Sequence, residues 1–542
     1  MVLSLLPPVL CSGSSQTKPG VAVAPTPTPL YDTLGSHHHP ITTTVPMAQQ
    51  YFDQGLRLVF AFNHEEAIAA FEEASRLDPK AAMASWGIAL ALGPNINLPM
   101  SAEQERRAYK AIRKARALSS KVNPREQAYI KALATRYSIQ RGSKREVLDA
   151  AYADAMRALV KRFPDDPDAA TLFAEALMDL QPWDYWMPDG RPKGAAEEIV
   201  STLEQVLQRW PEHPGACHYY IHAVEASSRP ERALACAQRL PGLMPGAGHL
   251  VHMPAHIYLR LGKYHEASER NVHATSVDHE YLNHRRLTGI YPTGYALHNI
   301  HFLWAASTME GRSAEAIRSA RELVSKLTLD EVRKEPFLES FMPTHLFALV
   351  RFGRWEAVLE EPSPPSELQY TKAMWHYARG VAYAATGQFE RAEAERASFG
   401  ALVKTARKDR TIGQNSAAAL EEIAGSVLAG ELAARQAQYG EAIKYLEEAA
   451  GLQDALRYNE PQDWYYPVRH SLGAVLLSAG RAADAEAVYR EDLKRNPENG
   501  WALYGLGQSL RAQQKSEEAA AVEERFRKAW SRGDVTLTAS RF

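Results

Sequence analysis

The chain has 542 residues, of which 45% are hydrophobic and 23% charged, with a formal net charge of -2 and three cysteines. This composition is that of a globular protein, and the near-neutral charge provides no basic surface, so nucleic acid and anionic membranes are not expected partners. No apolar run reaches the roughly 18 residues of a membrane-spanning helix, and three cysteines with no C-x-x-C pair exclude a disulfide framework or a thiolate zinc site.

The amino-terminal segment, residues 1–45, is predicted to be a disordered tail or an export signal with a tether. Residues 1–10 are apolar, and Cys11 and a Ser/Thr/Pro-rich stretch follow them. This arrangement resembles the end of a lipoprotein export signal with Cys11 as the acylated residue, although no Lys or Arg precedes the apolar run. An exported location, periplasmic or lipid-anchored, is therefore slightly favoured over a cytoplasmic one.

Three consecutive histidines, His37, His38 and His39, stand in an extended stretch before the first predicted helix. One interpretation is that this stretch folds back along the helices and adds ligands to a site. The other is that a histidine run on a tail binds metal without function. The sequence leaves both open.

A repeated pattern of helix pairs begins at Pro46. A glycine lies midway along the first helix, and two alanines, an aromatic residue and a proline follow at set intervals in Gly55, Ala67, Phe71, Ala74 and Pro79. The same intervals recur near the carboxyl end in Gly473, Ala485, Tyr489 and Pro497. Small residues let two helices approach closely, and the proline ends the second helix.

This pattern resembles the tetratricopeptide repeat, a unit of about 34 residues. The resemblance extends over roughly residues 46–532, and it implies an all-α fold: an α-solenoid, or right-handed superhelix, of about twelve antiparallel helix pairs. We expect an amino-terminal array at 46–212, a histidine-rich array at 213–360 and a carboxyl-terminal array at 361–542.

Two insertions lengthen turns within early pairs, at residues 91–100 and 180–194, where repeated Pro and Gly exclude a continuous helix. The second contains four consecutive bulky or charged residues, Trp183, Asp184, Tyr185 and Trp186. They are predicted either to cover the end of a helix pair or to form the wall of a binding pocket, because insertions on repeat arrays often lie on the binding face.

Histidines are concentrated in residues 213–301, which contain twelve of the nineteen in the chain. Several are spaced by three or four residues, so that each set shares one helix face. In a tetratricopeptide array the first helix of each pair lines the concave surface. Counting back from the packing alanines Ala233, Ala267, Ala316 and Ala357, the resemblance places on this surface seven histidines and two glutamates: His218, His222, His249, His252, His256, His298, His301, Glu225 and Glu339.

Imidazoles with one or two carboxylates and no thiolate suit a transition metal, and copper or zinc is the best match. Seven imidazoles exceed the needs of one ion, so we expect either two ions or some histidines that orient the ligands, with His249 the least certain ligand. Glu225 is predicted to be a ligand, an acceptor that orients one, or the general base of a metal-dependent reaction.

Three functions fit these residues. The first is a metal-binding protein, either a carrier or a metal-dependent oxidase or hydrolase. The second is an interaction scaffold that binds a peptide or a small molecule in the concave groove without metal. The third is a pH-responsive groove whose histidines become charged near pH 6. The sequence does not decide whether the protein is an enzyme.

Overall fold

The computed structural model describes residues 29–138, 144–284, 290–407 and 409–542. Cys11 and most of the predicted export segment lie outside these residues. Among the described helices, none combines the length and the apolar character needed to cross a membrane.

Helices are the main regular structure of the described residues, with one short antiparallel hairpin in which β1, Thr411–Ile412, pairs with β2, Asn415–Ser416. The α-helices are α1 Pro46–Phe60, α2 His64–Leu77, α3 Ala82–Ala91, α4 Ala102–Leu118, α5 Pro124–Leu133, α6 Arg145–Arg162, α7 Pro167–Met178, α8 Ala196–Arg209, α9 Pro214–Val224, α10 Leu234–Leu243, α11 Gly248–His252, α12 Pro254–Arg260, α13 Tyr264–His284, α14 Ala296–Glu310, α15 Ser313–Ser325, α16 Leu329–Lys334, α17 Thr344–Arg351, α18 Trp355–Glu360, α19 Gln369–Ala385, α20 Phe389–Thr405, α21 Ala417–Arg435, α22 Tyr439–Asp454, α23 Arg469–Ser478, α24 Ala482–Arg495, α25 Gly500–Ala512 and α26 Ser516–Ala529.

These helices follow one another as the predicted pairs, so the all-α solenoid expected from the sequence is confirmed. The described pairs are α1/α2, α3/α4, α5/α6, α7/α8, α9/α10, α11–α12/α13, α14/α15, α17/α18, α19/α20, α21/α22, α23/α24 and α25/α26, and α16 is an additional short helix. One first helix departs from the expected single element. Residues 248–260 form two consecutive helices that meet at Met253, because Pro254 lacks the backbone N–H that a continuous helix requires.

Aromatic residues on second helices pack against glycines on the first helices on either side. Phe71 is fully buried, and a Cβ added to Gly55 or to Gly87 would overlap its ring. Tyr489 has the same relation to Gly473 and Gly505. The glycines therefore allow successive pairs to approach closely, as the repeat pattern predicts.

The amino-terminal side of the array folds back on itself. Asp168 of α7 contacts His37 and His39 of the extended segment, with oxygen–nitrogen distances of 2.8 and 2.7 Å. The end of α1 packs on the start of α9, where a Cβ on Gly215 would overlap the ring of Phe60. The first pair therefore lies directly against the pair that carries the first histidines.

The carboxyl-terminal side closes in the same way. The indole N–H of Trp501 in α25 donates to the carbonyl oxygen of Thr308 in α14 at 3.0 Å. The carboxylate of Asp534 accepts a hydrogen bond from the backbone N–H of Ser313 at 2.7 Å. The last pair thus packs on the pair that carries the last histidines.

Candidate metal centre

Six of the seven predicted histidines converge in space. In the order His222, His218, His249, His252, the centroids of successive rings are 4.9, 5.0 and 5.7 Å apart. His256 and His298 each lie 4.8 Å from His252 by the same measure. His298 is half-buried and the other five are buried. The six rings therefore form one continuous cluster contributed by three helix pairs.

The cluster divides into two groups of three. The first triad is His218, His222 and His249, and the second triad is His252, His256 and His298; in each, one possible ligand atom per residue lies within 4.8 Å of the others. The Nε2 atoms of His218 and His249 are 3.2 Å apart, and those of His252 and His256 are 2.9 Å apart. Two nitrogens bound to one ion at about 2.0 to 2.1 Å, with an angle between 90° and tetrahedral, are about 2.8 to 3.4 Å apart. Both separations match a shared ion, and they also match an N–H···N hydrogen bond in the absence of metal.

Hydrogen bonds on Nδ1 fix two rings of the first triad. Nδ1 of His218 donates to the carbonyl oxygen of Phe60 at 2.6 Å, and Nδ1 of His222 donates to Glu225 at 2.9 Å. Because each Nδ1 carries the proton, Nε2 carries the lone pair that a metal ion requires. Nε2 of His222 is buried and has no hydrogen-bond partner within the described residues.

The second triad is held in the same manner. Nδ1 of His252 donates to Oδ1 of Asn271 at 2.7 Å, and the amide of Asn271 is oriented by its own donation to the carbonyl oxygen of Ala267 at 2.8 Å. Nδ1 of His256 contacts Glu225 and lies 3.3 Å from Oε2 of Glu460. The Nε2 atoms of both histidines are therefore directed toward each other.

One buried carboxylate connects the two triads. Glu225 is fully buried, with one oxygen on His222 and the other against His256. Burial alone would raise the pKa of Glu225, but the charge of His256 and hydrogen bonds from both histidines lower it to about 2. Burial would lower the pKa of His256, but Glu225 and Glu460 raise it to about 9. In the metal-free protein these two residues therefore form an ion pair.

The other imidazoles are neutral at physiological pH. Burial and the neighbouring rings lower the pKa of four histidines well below the ordinary value: His218, His249, His252 and His298. Two phenylalanines enclose the cluster, with Phe62 4.5 Å from His218 and Phe302 4.5 Å from His256 between ring centroids. Neutral imidazoles in apolar surroundings favour the binding of a cation through lone pairs rather than through charge alone.

A cavity of about 400 Å³ adjoins both triads. His222 and His249 of the first triad and His298 of the second line it. Each triad therefore presents at least one side to a space large enough for a small molecule.

The two predicted insertions meet at this cavity. The side-chain oxygen of Asn97 accepts a hydrogen bond from the indole of Trp183 at 3.1 Å, and its amide donates to Tyr295 at 3.0 Å. The ring of Trp183 stands edge-on to His222 at 5.1 Å. Asn97, Trp183 and Tyr295 all line the cavity, so the pocket-wall interpretation of the second insertion holds for Trp183.

The three residues after Trp183 lie elsewhere. Asp184 pairs with Lys193, the hydroxyl of Tyr185 donates to the carbonyl oxygen of Met178, and the indole of Trp186 donates to that of Ala223. None of the three lines the cavity. They match the other interpretation, in which the insertion covers the end of a helix pair.

Two predicted inner-face residues stand outside the triads. His301 lines the cavity and stacks on Trp304, with ring centroids 4.9 Å apart. Glu339 accepts from the backbone of Thr371 and pairs with Arg410. Glu339 lies beyond α15, further along the array, whereas His301 shares α14 with His298 and its ring stacks on Trp304 instead.

Sequence reasoning missed several residues that orient the histidines. Asn271 is on a second helix, and Glu460 is in the loop between α22 and α23, so neither belongs to the inner-face pattern. The carbonyl oxygen of Phe60 is part of the backbone and carries no sequence signal. Of these residues, only Asn271 has a sequence signal: an amide on the packing face of a helix needs a hydrogen-bond partner when it is buried.

Comparisons with known proteins support the fold. The tetratricopeptide repeat family model matches residues 52–93 and 471–534, which confirms these repeats at both ends of the chain. No curated protein matches the chain in sequence. Similar solved structures include the human IFIT1 dimer with m7Gppp-AAAA and the same dimer with PPP-AAAA. Each is 13% identical, with 90% of this chain and 91% of that chain covered and a TM-score of 0.35. A likeness of this size carries no argument about function.

Proposed function

We propose that this chain, a tetratricopeptide repeat protein, binds two transition-metal ions in its interior, one in each triad. The observation that carries the proposal is the paired arrangement of nitrogens. A hydrogen-bond acceptor holds the proton on Nδ1 of His218, His222 and His252, and a carboxylate contacts Nδ1 of His256. Nε2 of each ring is then directed at a neighbouring imidazole or has no partner among the described residues. Metal-binding histidines have this arrangement of outer acceptors.

Copper and zinc fit the donor set best. The triads offer six imidazoles and no thiolate, and the carboxylate of Glu225 faces Nδ1 atoms rather than Nε2 atoms. Imidazole suits zinc and copper among the divalent ions, and copper is the more tightly held of the two where both are present.

In this proposal, Glu225 is a hydrogen-bond acceptor that orients His222 and His256. The sequence left open a ligand or a general base. A base must reach the substrate, and Glu225 does not line the cavity in the described part of the chain. One of its oxygens instead contacts the first triad and the other contacts the second, so the positions of the two triads are coupled.

An enzyme fits the site better than a carrier. Three protein ligands with a side open to a cavity are the usual composition of a catalytic zinc site, whereas structural zinc sites are closed. When bound, the ions would supply Lewis acidity, and copper would also supply electron transfer. We propose a metal-dependent oxidase or hydrolase that acts on a small molecule.

The alternative of a scaffold that binds a peptide in the concave groove has less support. Five of the six histidines of the two triads are buried, and the cavity beside them has a volume of about 400 Å³. That volume suits a small molecule rather than an extended peptide. Protein binding on the outer surface of the repeats is compatible with the metal centre.

Thermal unfolding with and without metal tests the proposal. The chelated protein should gain melting temperature when zinc or copper is added, because an ion that binds only the folded state stabilises it. A variant with both His222→Ala and His252→Ala should show no gain. The matched control removes two exposed histidines of α13, His273→Ala and His279→Ala, and should respond like the wild type. Equal gains in all three proteins would contradict the proposal, as would no gain in any.

A further inference from the structure

The cavity beside the triads has flat aromatic walls. Phe347 and Tyr465 stack with their ring centroids 4.4 Å apart and their planes 2° from parallel, and both line the cavity. His301 and Trp304 form a second stack, 12° from parallel, that also lines it. Walls of this kind favour a ligand that contains an aromatic ring.

The acidic residues of the same cavity lie in the loop between α22 and α23. Glu460 and Asp463 line the cavity, and among the described lining residues there is no lysine or arginine. Oε2 of Glu460 is buried and has no hydrogen-bond partner in this part of the chain, although it faces His256. Asp463 is held by the amides of Asn459 at 2.6 Å and Asn415 at 2.7 Å. Two carboxyl groups beside aromatic faces are suited to an ammonium group, whose positive charge favours their ionised form.

We propose that the cavity binds a small aromatic amine, in which an aryl ring is joined to a protonated amine by a short chain. The ring would pack on the aromatic walls, and the ammonium group would lie at the Glu460 and Asp463 carboxylates. This inference deepens the proposed function. It rests on that function for one point only, namely that the part of the ligand nearest the histidines is the part that reacts.

Three matched probes test the charge preference directly. Tyramine, para-ethylphenol and para-hydroxyphenylpropionate share one ring and a similar length but are cationic, neutral and anionic. Their binding to the full chain, kept metal-free by chelator, is measured by isothermal titration calorimetry. Tyramine should bind most tightly, and the anionic probe about tenfold more weakly or not at all, because no ammonium–carboxylate contact forms. Equal binding of all three, tighter binding of the anion, or no binding of tyramine would overturn the proposal.

Two variants locate the bound probe. Glu460→Gln should weaken tyramine binding more than para-ethylphenol binding, since the amide keeps the shape of the side chain but not its charge. Ser340→Trp, which places a large ring at the cavity wall, should weaken both probes. Glu335→Gln, at an exposed residue near the same segment, is the control and should change neither. If neither Glu460→Gln nor Ser340→Trp weakens tyramine binding, the amine binds elsewhere and the inference is contradicted.

The metal content of the same protein after reconstitution with zinc or copper and dialysis separates this inference from the proposed function. If the protein binds metal but not tyramine, the metal centre stands and the amine proposal fails. If it binds tyramine without ever binding metal, the cavity assignment stands and the metal centre fails.

Discussion

Nδ1 of His256 lies 3.3 Å from Oε2 of Glu460, although the two residues belong to different halves of the chain. His256 is in α12, and Glu460 is in the loop between α22 and α23. The contact exists because the array closes and brings its carboxyl-terminal pairs back over the histidine-bearing pairs. The candidate metal centre is therefore completed by tertiary closure and not by one run of repeats.

Glu225→Gln tests the role of the carboxylate that connects the triads. A carboxamide accepts hydrogen bonds through one oxygen only, so one of the two Nδ1 atoms loses its acceptor. We expect metal affinity to fall by about 10- to 100-fold, the usual effect of losing an outer acceptor of a metal ligand. Competition with a chelator of known affinity measures it.

The control for this substitution is Glu231→Gln, which alters an exposed carboxylate on the same segment of the chain. It should leave metal affinity unchanged. If Glu225→Gln binds metal as tightly as the control, Glu225 does not orient the ligands.

His252→Ala and His222→Ala test whether the triads are separate sites. His252 belongs to the second triad and His222 to the first, and each has a nitrogen within ligand range of its own group. Each substitution should remove one bound ion and leave the other, as measured by elemental analysis after dialysis. Loss of all metal in both variants would mean that the six histidines form a single site.

Much of the fold was predictable because its determinants are local. The intervals linking Gly55, Ala67 and Phe71 recur at the carboxyl end, and the structure shows why: the aromatic ring needs a glycine on each neighbouring helix. The inner-face assignment likewise brought together six histidines, because the first helices of adjacent pairs stack with the same face inward.

The closure of the array was not predictable in the same way. The contact of Trp501 with Thr308 and that of Glu460 with His256 join residues far apart in sequence, and no repeat interval encodes them. The sequence also placed His301 with the ligands, whereas this ring stacks on Trp304.

Phe71→Ala tests the packing of the repeats. Phe71 is fully buried and its ring fills the space that Gly55 and Gly87 leave. Removing it should lower the free energy of unfolding by about 3 to 5 kcal/mol, the range for deletion of a buried phenylalanine ring. Urea denaturation measures the change. Val147→Ala, at an exposed position, is the control, and a similar loss in both variants would contradict this account of the repeat.

Asp278→Asn tests a buried carboxyl group near the centre. Asp278 accepts from Tyr291 at 2.9 Å and Asn299 at 2.6 Å, and burial raises its pKa to about 7. Since the folded pKa is above the unfolded value, its contribution to stability is complete below the unfolded pKa and is lost as the pH rises through about 7. An amide lacks this titration.

Urea denaturation of chelated wild type and Asp278→Asn at two pH values measures the difference. Between about pH 5 and about pH 8, the stability of the variant relative to the wild type should rise by about 3 kcal/mol. A constant difference across this range would show that Asp278 does not titrate there.

The central claim is that two triads of histidines each bind an ion, and the most direct measurement is the number of metal ions per chain. Protein reconstituted with zinc or copper and then dialysed should contain two ions per chain by elemental analysis, and the His222→Ala/His252→Ala variant should contain none. Wild-type protein with no more metal than this variant would contradict the account.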